Sequence, residues 1–238
     1  KTVTIVDVQD GDGDGVPSNE EMSPDGLDPF YDGNGDGIPD WKQDNVVSLH
    51  SYDRRHYVTM ETNFRFADLR AIATPASLPT GVTFPYGLFS FKVLNVPSGG
   101  SAMVRFYVDA EWPNVYYKYG PTPLVPTASW YNFSFDSIQG TGAIADGFTV
   151  TLHFKDGEMG DDDLTVNGAV LDDGGPGVSA TEPPPTSSGG GGGCDMAGDT
   201  GGTNLWNLGG AYGMLILVLA WLKVRWAPRE RGRPDSGN

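Results

Sequence analysis

The sequence predicts a mainly β protein whose body, residues 45–176, is an antiparallel β-sandwich. Apolar and polar residues alternate in several short segments of this body, for example at Phe89 and Phe91 and at Val150 and Leu152. This period of two is typical of strands that bury one face and expose the other. Gly, Pro and Asp turns separate the segments, and no long apolar stripe at helical spacing is present.

The charge of the chain bears on its partners. There are 31 acidic and 15 basic side chains, and the formal net charge is -16. Nucleic acid is excluded as the main partner, because phosphate repels such a surface, whereas cation binding is favoured. A single cysteine excludes an intrachain disulfide framework. Because the chain begins with Lys1, we expect a fragment or a processed, exported chain.

The head of the chain, residues 1–44, contains two acidic loops separated by 22 residues. The first matches the spacing D-x-D-x-D-G-x5-E of a calcium loop, in which alternate oxygens point at one centre. Its predicted ligands are the side chains of Asp10, Asp12, Asp14, Ser18 and Glu21 and the carbonyl of Val16. The second loop repeats the pattern with the predicted ligands Asp32, Asn34, Asp36, Ile38, Asp40 and Asp44. Because Gln43 occupies its twelfth position, we expect the second site to bind calcium more weakly.

The joining stretch, residues 22–29, contains Pro24, Gly26 and Pro29, which argue against the flanking helices of an EF-hand. The two loops, and especially the sequence GDGIPDW from Gly35 to Trp41, resemble thrombospondin type 3 repeats. That resemblance implies loops organised by Ca²⁺. The head has few apolar residues of its own, so we expect it to be disordered without the metal.

The body contains a set of distinctive segments: TGVTFPYGLFSF from Thr80, YYKYGPTP from Tyr116, Trp130-Tyr131, LHFKDG from Leu152 and GDDDLTVNG from Gly160. In this order and spacing they resemble the bacterial choice-of-anchor U domain. The family takes its name from its position beside several alternative C-terminal surface anchors. The resemblance therefore implies a location at the cell surface and a sandwich fold, and it implies no substrate.

Catalytic motifs are lacking in the body. No histidine has a metal-ligand spacing to another, and no G-x-S-x-G elbow occurs, so we expect no enzyme. The run Asp161–Asp163 could form a third cation site or could end a strand with charge. Tyr116, Tyr117 and Tyr119 could stack on a sugar or could serve in packing and turns.

Two further segments follow the body. Residues 177–203 are rich in Pro, Gly and Ser, which predicts a flexible linker, and they include Cys194. In residues 204–238, an uncharged apolar stretch at 205–222 precedes a basic block. As a helix the stretch would span about 27 Å, so we expect a transmembrane anchor with a cytoplasmic basic tail.

The order of glycine-rich Cys194, apolar helix and basic terminus resembles bacterial CTERM-type sorting signals, such as the JDVT-CTERM and MYXO-CTERM classes. That resemblance implies an intramembrane sorting protease as a partner and Cys194 as the anchoring or processing residue. A spectator thiol remains the alternative.

These features together predict a non-catalytic, calcium-binding protein anchored in the bacterial envelope. Its body would serve as a display, adhesion or structural module with a surface protein as partner. The alternative function is a surface-anchored module that binds a glycan or another polymer through aromatic residues.

Overall fold

The structure, a computed structural model, describes residues 9–180. Cys194, the predicted membrane segment at 205–222 and the predicted linker from residue 181 onward lie outside this range. Residues 177–179, which the sequence predicted as the start of the linker, belong instead to a strand, because they continue the pairing of the body. The described residues form eleven strands: β1 (Val46–His50), β2 (Tyr57–Thr62), β3 (Arg65–Ile72), β4 (Val82–Thr83), β5 (Leu88–Leu94), β6 (Ser101–Tyr107), β7 (Val115–Thr122), β8 (Val125–Asn132), β9 (Gly142–Asp146), β10 (Thr149–Lys155) and β11 (Ala169–Ser179).

The strands form two sheets in which every named pairing is antiparallel. The first sheet has the order β1-β2-β6-β10-β9, and the second has the order β3-β5-β11-β7-β8, with β4 added against β11. This arrangement confirms the prediction of a mainly β, antiparallel sandwich. The helical structure of residues 9–180 is a single 3-10 turn at Asp40–Lys42, and no helix in this range is long and apolar enough to cross a membrane.

The core lies between the two sheets and includes residues that the alternation predicts, together with residues of strands that the sequence did not single out, such as Met60 and Phe66. Phe89, Phe91, Val150 and Leu152 are all buried. Phe91 and Phe106 pack in a tilted arrangement with centroids 6.4 Å apart, whereas Phe133 and Phe154 are stacked at 5.4 Å. Such a core accounts for the fold, because each sheet can bury one apolar face only against the other.

Three side chains depart from the predicted alternation. Phe135 and Phe148 extend the apolar phase of their segments, yet both are exposed, because each lies outside the regular strands. Ser90, which the alternation places on the solvent side, is only 9% exposed.

The first acidic loop of the head packs against the sandwich beside a bulge in β3. The pairing of β3 with β5 shifts register between Ala67 and Arg70, and Asp68 within this bulge has a left-handed φ of 53°. Val16 of the head is buried in the same apolar core as the sandwich residues. The first acidic loop therefore packs directly onto the body.

Candidate metal centre

The first acidic loop is folded by its own carboxylates. Asp10 accepts hydrogen bonds from the backbone N–H groups of Gly13, at 2.7 Å, and Gly15, at 3.1 Å. Asp14 accepts from the backbone of Val16 at 2.7 Å through Oδ1. Gly15 has a φ of +108°, which glycine adopts without strain. The loop therefore has the curled backbone that brings alternate side chains to one centre.

Five carboxylate oxygens of this loop are buried and have no hydrogen-bond partner. They are both oxygens of Asp12, Oδ2 of Asp14 and both oxygens of Glu21. Asp14 and Glu21 are completely shielded from solvent. A buried charged group without a partner is strongly unfavourable, so these oxygens require either protons or a cation.

The spacing of the acidic groups fits a single cation. Asp10, Asp12 and Asp14 each offer an oxygen atom, and these atoms lie within 4.8 Å of one another. Calcium binds oxygen at about 2.3–2.6 Å, so two ligands on opposite sides of the ion are about 5 Å apart. The ligand set is entirely oxygen, which suits a hard cation.

Burial and mutual repulsion raise the pKa values of Asp12, Asp14 and Glu21 in the first loop. Burial raises the pKa of Asp12 to about 7, with a further contribution from Asp10. Burial and the charges of Asp12 and Asp10 raise the pKa of Asp14 to about 8. Burial and the charges of Asp14 and Asp12 raise the pKa of Glu21 to about 10. Without a cation the loop therefore holds protons at neutral pH, and a divalent cation would displace them.

The remaining predicted ligands of this loop are Val16 and Ser18. The Val16 side chain is buried in the core, which holds the end of the loop against the sandwich. The Ser18 hydroxyl accepts a hydrogen bond from the backbone N–H of Gly11 at 2.9 Å. This hydrogen bond joins the beginning of the loop, at Gly11, to its later part, at Ser18.

Residues of the body position the loop, and sequence analysis did not identify them. The backbone N–H of Leu69 donates to the carbonyl of Asp14 at 3.1 Å. Arg65 donates from Nη2 to the carbonyls of Asp12, at 3.3 Å, and Gly13, at 3.1 Å. Because these contacts join residues more than 50 positions apart, no local pattern in the sequence indicates them.

The segment just before Glu21 is also fixed to the body. The Tyr57 hydroxyl donates to the carbonyl of Glu20 at 2.7 Å, and the Glu20 carboxylate lies 2.9 Å from Nδ1 of His50 and 3.2 Å from Nη1 of Arg54. Glu20 is therefore paired near the surface, whereas the adjacent Glu21 is fully buried, and the charges of Asp14 and Asp12 oppose its ionisation.

The second loop has the same backbone design and different electrostatics. Asp32 accepts from the backbone N–H groups of Gly35, Asp36 and Gly37, and Asp36 accepts from that of Ile38 at 2.8 Å. The amide nitrogen of Asn34 donates to Asp36 at 3.3 Å and to Glu61 at 3.1 Å. Within the described residues, no carboxylate oxygen of this loop is both buried and unpartnered.

The residues at the end of the second loop, 40–44, differ from one another in their contacts. Asp40 is buried and accepts from the backbone of Gly33 and from Ser48, at 2.5 Å, and its burial raises its pKa to about 6. Asp44 lies beside Arg65, with Oδ2 3.6 Å from Nε. Gln43 reaches the loop instead, with Nε2 3.4 Å from Asp36 Oδ1 and 3.2 Å from the Ile38 carbonyl. Of the predicted ligands, Asp40 thus binds Gly33 and Ser48, and Asp44 lies beside Arg65.

The acidic run of the body binds backbone amides. Asp161 accepts from Gly157 at 2.8 Å and from Leu171 at 3.0 Å, Asp162 accepts from Asp173 at 2.8 Å, and Asp163 accepts from Thr165 at 2.8 Å. Asp161 and Asp162 both bind backbone N–H groups of β11, whereas Asp163 binds within its own turn. Among residues 9–180, the one cluster of three acidic residues whose oxygens converge is that of Asp10, Asp12 and Asp14.

No family model, no curated protein and no solved structure matches this chain. The resemblances to thrombospondin type 3 repeats, to the choice-of-anchor U domain and to CTERM-type signals stay predictions. Conclusions about function therefore depend on the chemistry of the site.

Proposed function

We propose that this protein is a non-catalytic, calcium-binding protein of the bacterial cell surface. In this proposal the sandwich serves as a display, adhesion or structural module, and calcium fixes the head to it. The observation that carries the proposal is the set of five buried, unpartnered carboxylate oxygens in the first loop. A cation with several oxygen ligands would satisfy all of them at once.

Calcium suits this site better than the other common metals. Zinc and copper favour imidazole and thiolate ligands, and the converging groups of the loop are carboxylates. Magnesium demands a small octahedral shell and retains several waters, whereas calcium accepts a larger number of carboxylate oxygens. Asp10, Asp12, Asp14 and Glu21 together would place four formal negative charges around the ion.

The mechanical consequence follows from the contacts of the loop. The ligands lie between Asp10 and Glu21, and the same segment is bound to β3 through Leu69 and Arg65. Neutralising the loop with calcium removes the repulsion that opposes this packing. Calcium would therefore set the orientation of the head, and of anything joined to it, relative to the sandwich.

Calcium titration by calorimetry, with the full chain in detergent, tests the proposal. Glu21→Gln removes a buried charge from the site, and we expect calcium affinity to fall at least tenfold. Glu20→Gln is the matched control, because this neighbour is paired with His50 and Arg54 and should leave calcium affinity unchanged. Equal affinities for the two variants, or no calcium binding by the native chain at millimolar concentration, would contradict the proposal.

The surface location is supported by the sequence of residues 189–238, which lies outside the described range. In the proposed arrangement, the apolar stretch at 205–222 holds the protein in the envelope, and a sorting protease acts near Cys194. Mass spectrometry of the mature C-terminus from native envelopes would test this. A mature chain that is found in the cytosol with its tail intact would contradict it.

Glycan or polymer binding is the second candidate function. Trp130 stacks on Phe84 at 5.7 Å, and Tyr119, which is 45% exposed, lies 5.2 Å from Trp130. A cavity of about 250 Å³ adjoins Tyr119. By contrast Tyr116, which sequence analysis offered as a sugar-stacking residue, is buried.

Exposed aromatic rings beside a cavity are suited to stack on sugar faces. Binding to insoluble polysaccharides should then be lost in Tyr119→Ala. Trp112→Ala is the control and should retain binding, because Trp112 is exposed but packs against Phe148 and not beside Trp130. Retained binding in Tyr119→Ala would contradict this second candidate.

A further inference from the structure

A lysine and two aspartates meet inside the second sheet, at a place that the calcium site does not involve. Lys118 on β7 and Asp172 on β11 are both completely buried, and their side chains are in direct contact through Nζ and Oδ1. Oδ1 of Asp162 lies 3.3 Å from the same Nζ. The hydroxyl of Tyr116 donates to the other oxygen of Asp172 at 2.7 Å.

Strand register accounts for this meeting. Lys118 lies opposite Gly174 in the antiparallel pair of β7 and β11, so Asp172 is its diagonal neighbour on the same face. Gly174 leaves this space open, since an added Cβ would come within 2.8 Å of the Tyr116 ring. The lysine and the aspartate are thus the two polar side chains that the register brings together.

The surroundings of the pair are apolar. The Nζ atom lies 5.4 Å from the ring centroid of Phe154 and 5.8 Å from that of Phe133, and both rings are fully buried. An ion pair in such surroundings loses its hydration, and that loss offsets much of the attraction between the charges. Converting the pair to an uncharged group removes this unfavourable term.

We propose that Lys118 and Asp172 condense to form an intramolecular isopeptide bond, with Asp162 as the proton relay. The Nζ atom of the neutral amine attacks Cγ of the protonated Asp172 carboxyl group. The new N–C bond replaces the C–O bond to the hydroxyl. One proton leaves the nitrogen, one reaches the departing hydroxyl, and a single water molecule is released. No oxidant, reductant or other reactant is required.

The protonation states that the reaction needs are within reach of the trio. Burial raises the pKa of Asp172, and it raises the pKa of Asp162 to about 7. Burial lowers the pKa of Lys118, but the charges of Asp172 and Asp162 raise it by more, so the neutral amine is a minor form. Transfer of the ammonium proton to Asp172, with Asp162 protonated, leaves all three groups uncharged, which a low-dielectric core favours.

Position supplies much of the rate. Reacting groups held in contact behave as if present at about 10⁵–10⁸ M, so a folded core can promote a condensation that free amines and acids do not undergo. Asp162 can take a proton from nitrogen and give one to oxygen. The Tyr116 hydroxyl, bonded to Asp172, can stabilise the oxyanion that forms there.

Peptide mapping of the full chain tests the proposal. The folded protein is purified, denatured and digested with trypsin. We expect a branched peptide that joins the segments containing Lys118 and Asp172 and is lighter than their sum by one water, with no cleavage after Lys118. Recovery of Lys118 as a cleaved, free residue would overturn the proposal.

A second ion pair in the same molecule is the internal control. Lys92 and Asp68 are 2.7 Å apart, but both are exposed to water. We expect no branched peptide from them, because hydration stabilises their charged forms. A cross-link at Lys92 in the same digest would show that proximity alone suffices, which would overturn the role assigned to the dry core.

Variants of Asp162 test the relay. Asp162→Asn keeps the shape of the side chain and removes its acid, so the branched peptide should be lost, while Asp162→Glu keeps the acid and should retain it. Hydrogen exchange of the β7 amides shows whether each variant is folded. A folded Asp162→Asn variant that still forms the branched peptide would overturn the relay assignment.

Discussion

The backbone N–H of Leu69 donates to the carbonyl of Asp14 at 3.1 Å, which joins the bulge of β3 to the first acidic loop. The bulge displaces residues 68 and 69 from the regular register of β3 and β5. A strand that is otherwise paired thereby gains a free N–H for the head. Bulges are known to redirect backbone groups in this way.

Gly15→Ala should disrupt this junction without removing a carboxylate. An added Cβ would lie 2.6 Å from the nitrogen of Leu69 and 2.9 Å from backbone atoms of Asp68, at a φ of +108°. Strain and overpacking together should cost about 2–4 kcal/mol of head docking. Gly35→Ala is the control, because it has a φ of +78° and open space, and should cost about 1–2 kcal/mol. Hydrogen exchange of residues 10–21 measures the effect of Gly15→Ala, and exchange of residues 32–43 measures that of Gly35→Ala. Equal losses in the two loops would contradict the proposed contact.

The stability of the calcium-free head should fall as pH rises from about 4 to 8. The pKa values of Asp12 and Asp14 are raised in the folded protein, to about 7 and about 8, so the folded state binds protons more tightly than the unfolded chain. The stability is then greatest at pH values below the pKa values of the unfolded chain. It is lost as the pH rises through the pKa values of the folded protein. Thermal unfolding across this range measures the effect, and rising stability of the calcium-free protein would contradict it.

Calcium affinity should show the opposite trend, because the cation competes with the bound protons. Calorimetry in buffers with different heats of ionisation should reveal protons released on binding near pH 7. Calcium binding that releases no protons would contradict the assignment of Asp12 and Asp14 as protonated groups in the calcium-free site.

Gln43→Glu should strengthen calcium binding at the second loop. The side chain of Gln43 already reaches Asp36 and the Ile38 carbonyl, so a carboxylate there would supply the missing charge at position twelve. Asp44→Asn should leave calcium affinity unchanged, because Asp44 lies beside Arg65. Calorimetry would show that calcium binds the second loop more tightly in Gln43→Glu than in the native chain, and that Asp44→Asn shows no such change. If Asp44→Asn weakened binding instead, Asp44 would be the ligand.

Phe91→Asp and Val150→Asp should each prevent folding. Both side chains are buried between the sheets, and an unpaired charge there costs several kcal/mol against a total stability of about 5–15 kcal/mol. Thr149→Asp, one position from Val150 and partly exposed, should be nearly silent. Circular dichroism and soluble yield measure the outcome. Equal damage from Thr149→Asp would contradict the assigned faces.

Local patterns in the sequence predicted the sandwich and the loop spacing. The alternation at Phe89 and Phe91 predicts which face is buried, and the D-x-D-x-D-G pattern predicts the curled backbone. Both signals act over a few residues, so they are visible without knowing which strands are neighbours.

Long-range contacts could not be predicted in the same way. The partnership of Lys118 with Asp172 depends on the register of β7 and β11, which are more than 45 residues apart. The burial of Tyr116 depends on the same register. Tyr116 lies two residues from Lys118 on β7, so the two side chains share one face of the strand. The displacement of Asp44 toward Arg65 likewise depends on where the head meets β3.

The last strand of the body lies in the middle of its sheet. Strand β11 pairs with β5 on one side and with β7 on the other, and it also receives β4. The two halves of this sheet therefore cannot join until the chain is available as far as Ser179. Such non-local pairing is slow and occurs late in folding. A chain that emerges from its N-terminus first would therefore keep this sheet open until its final described strand is available.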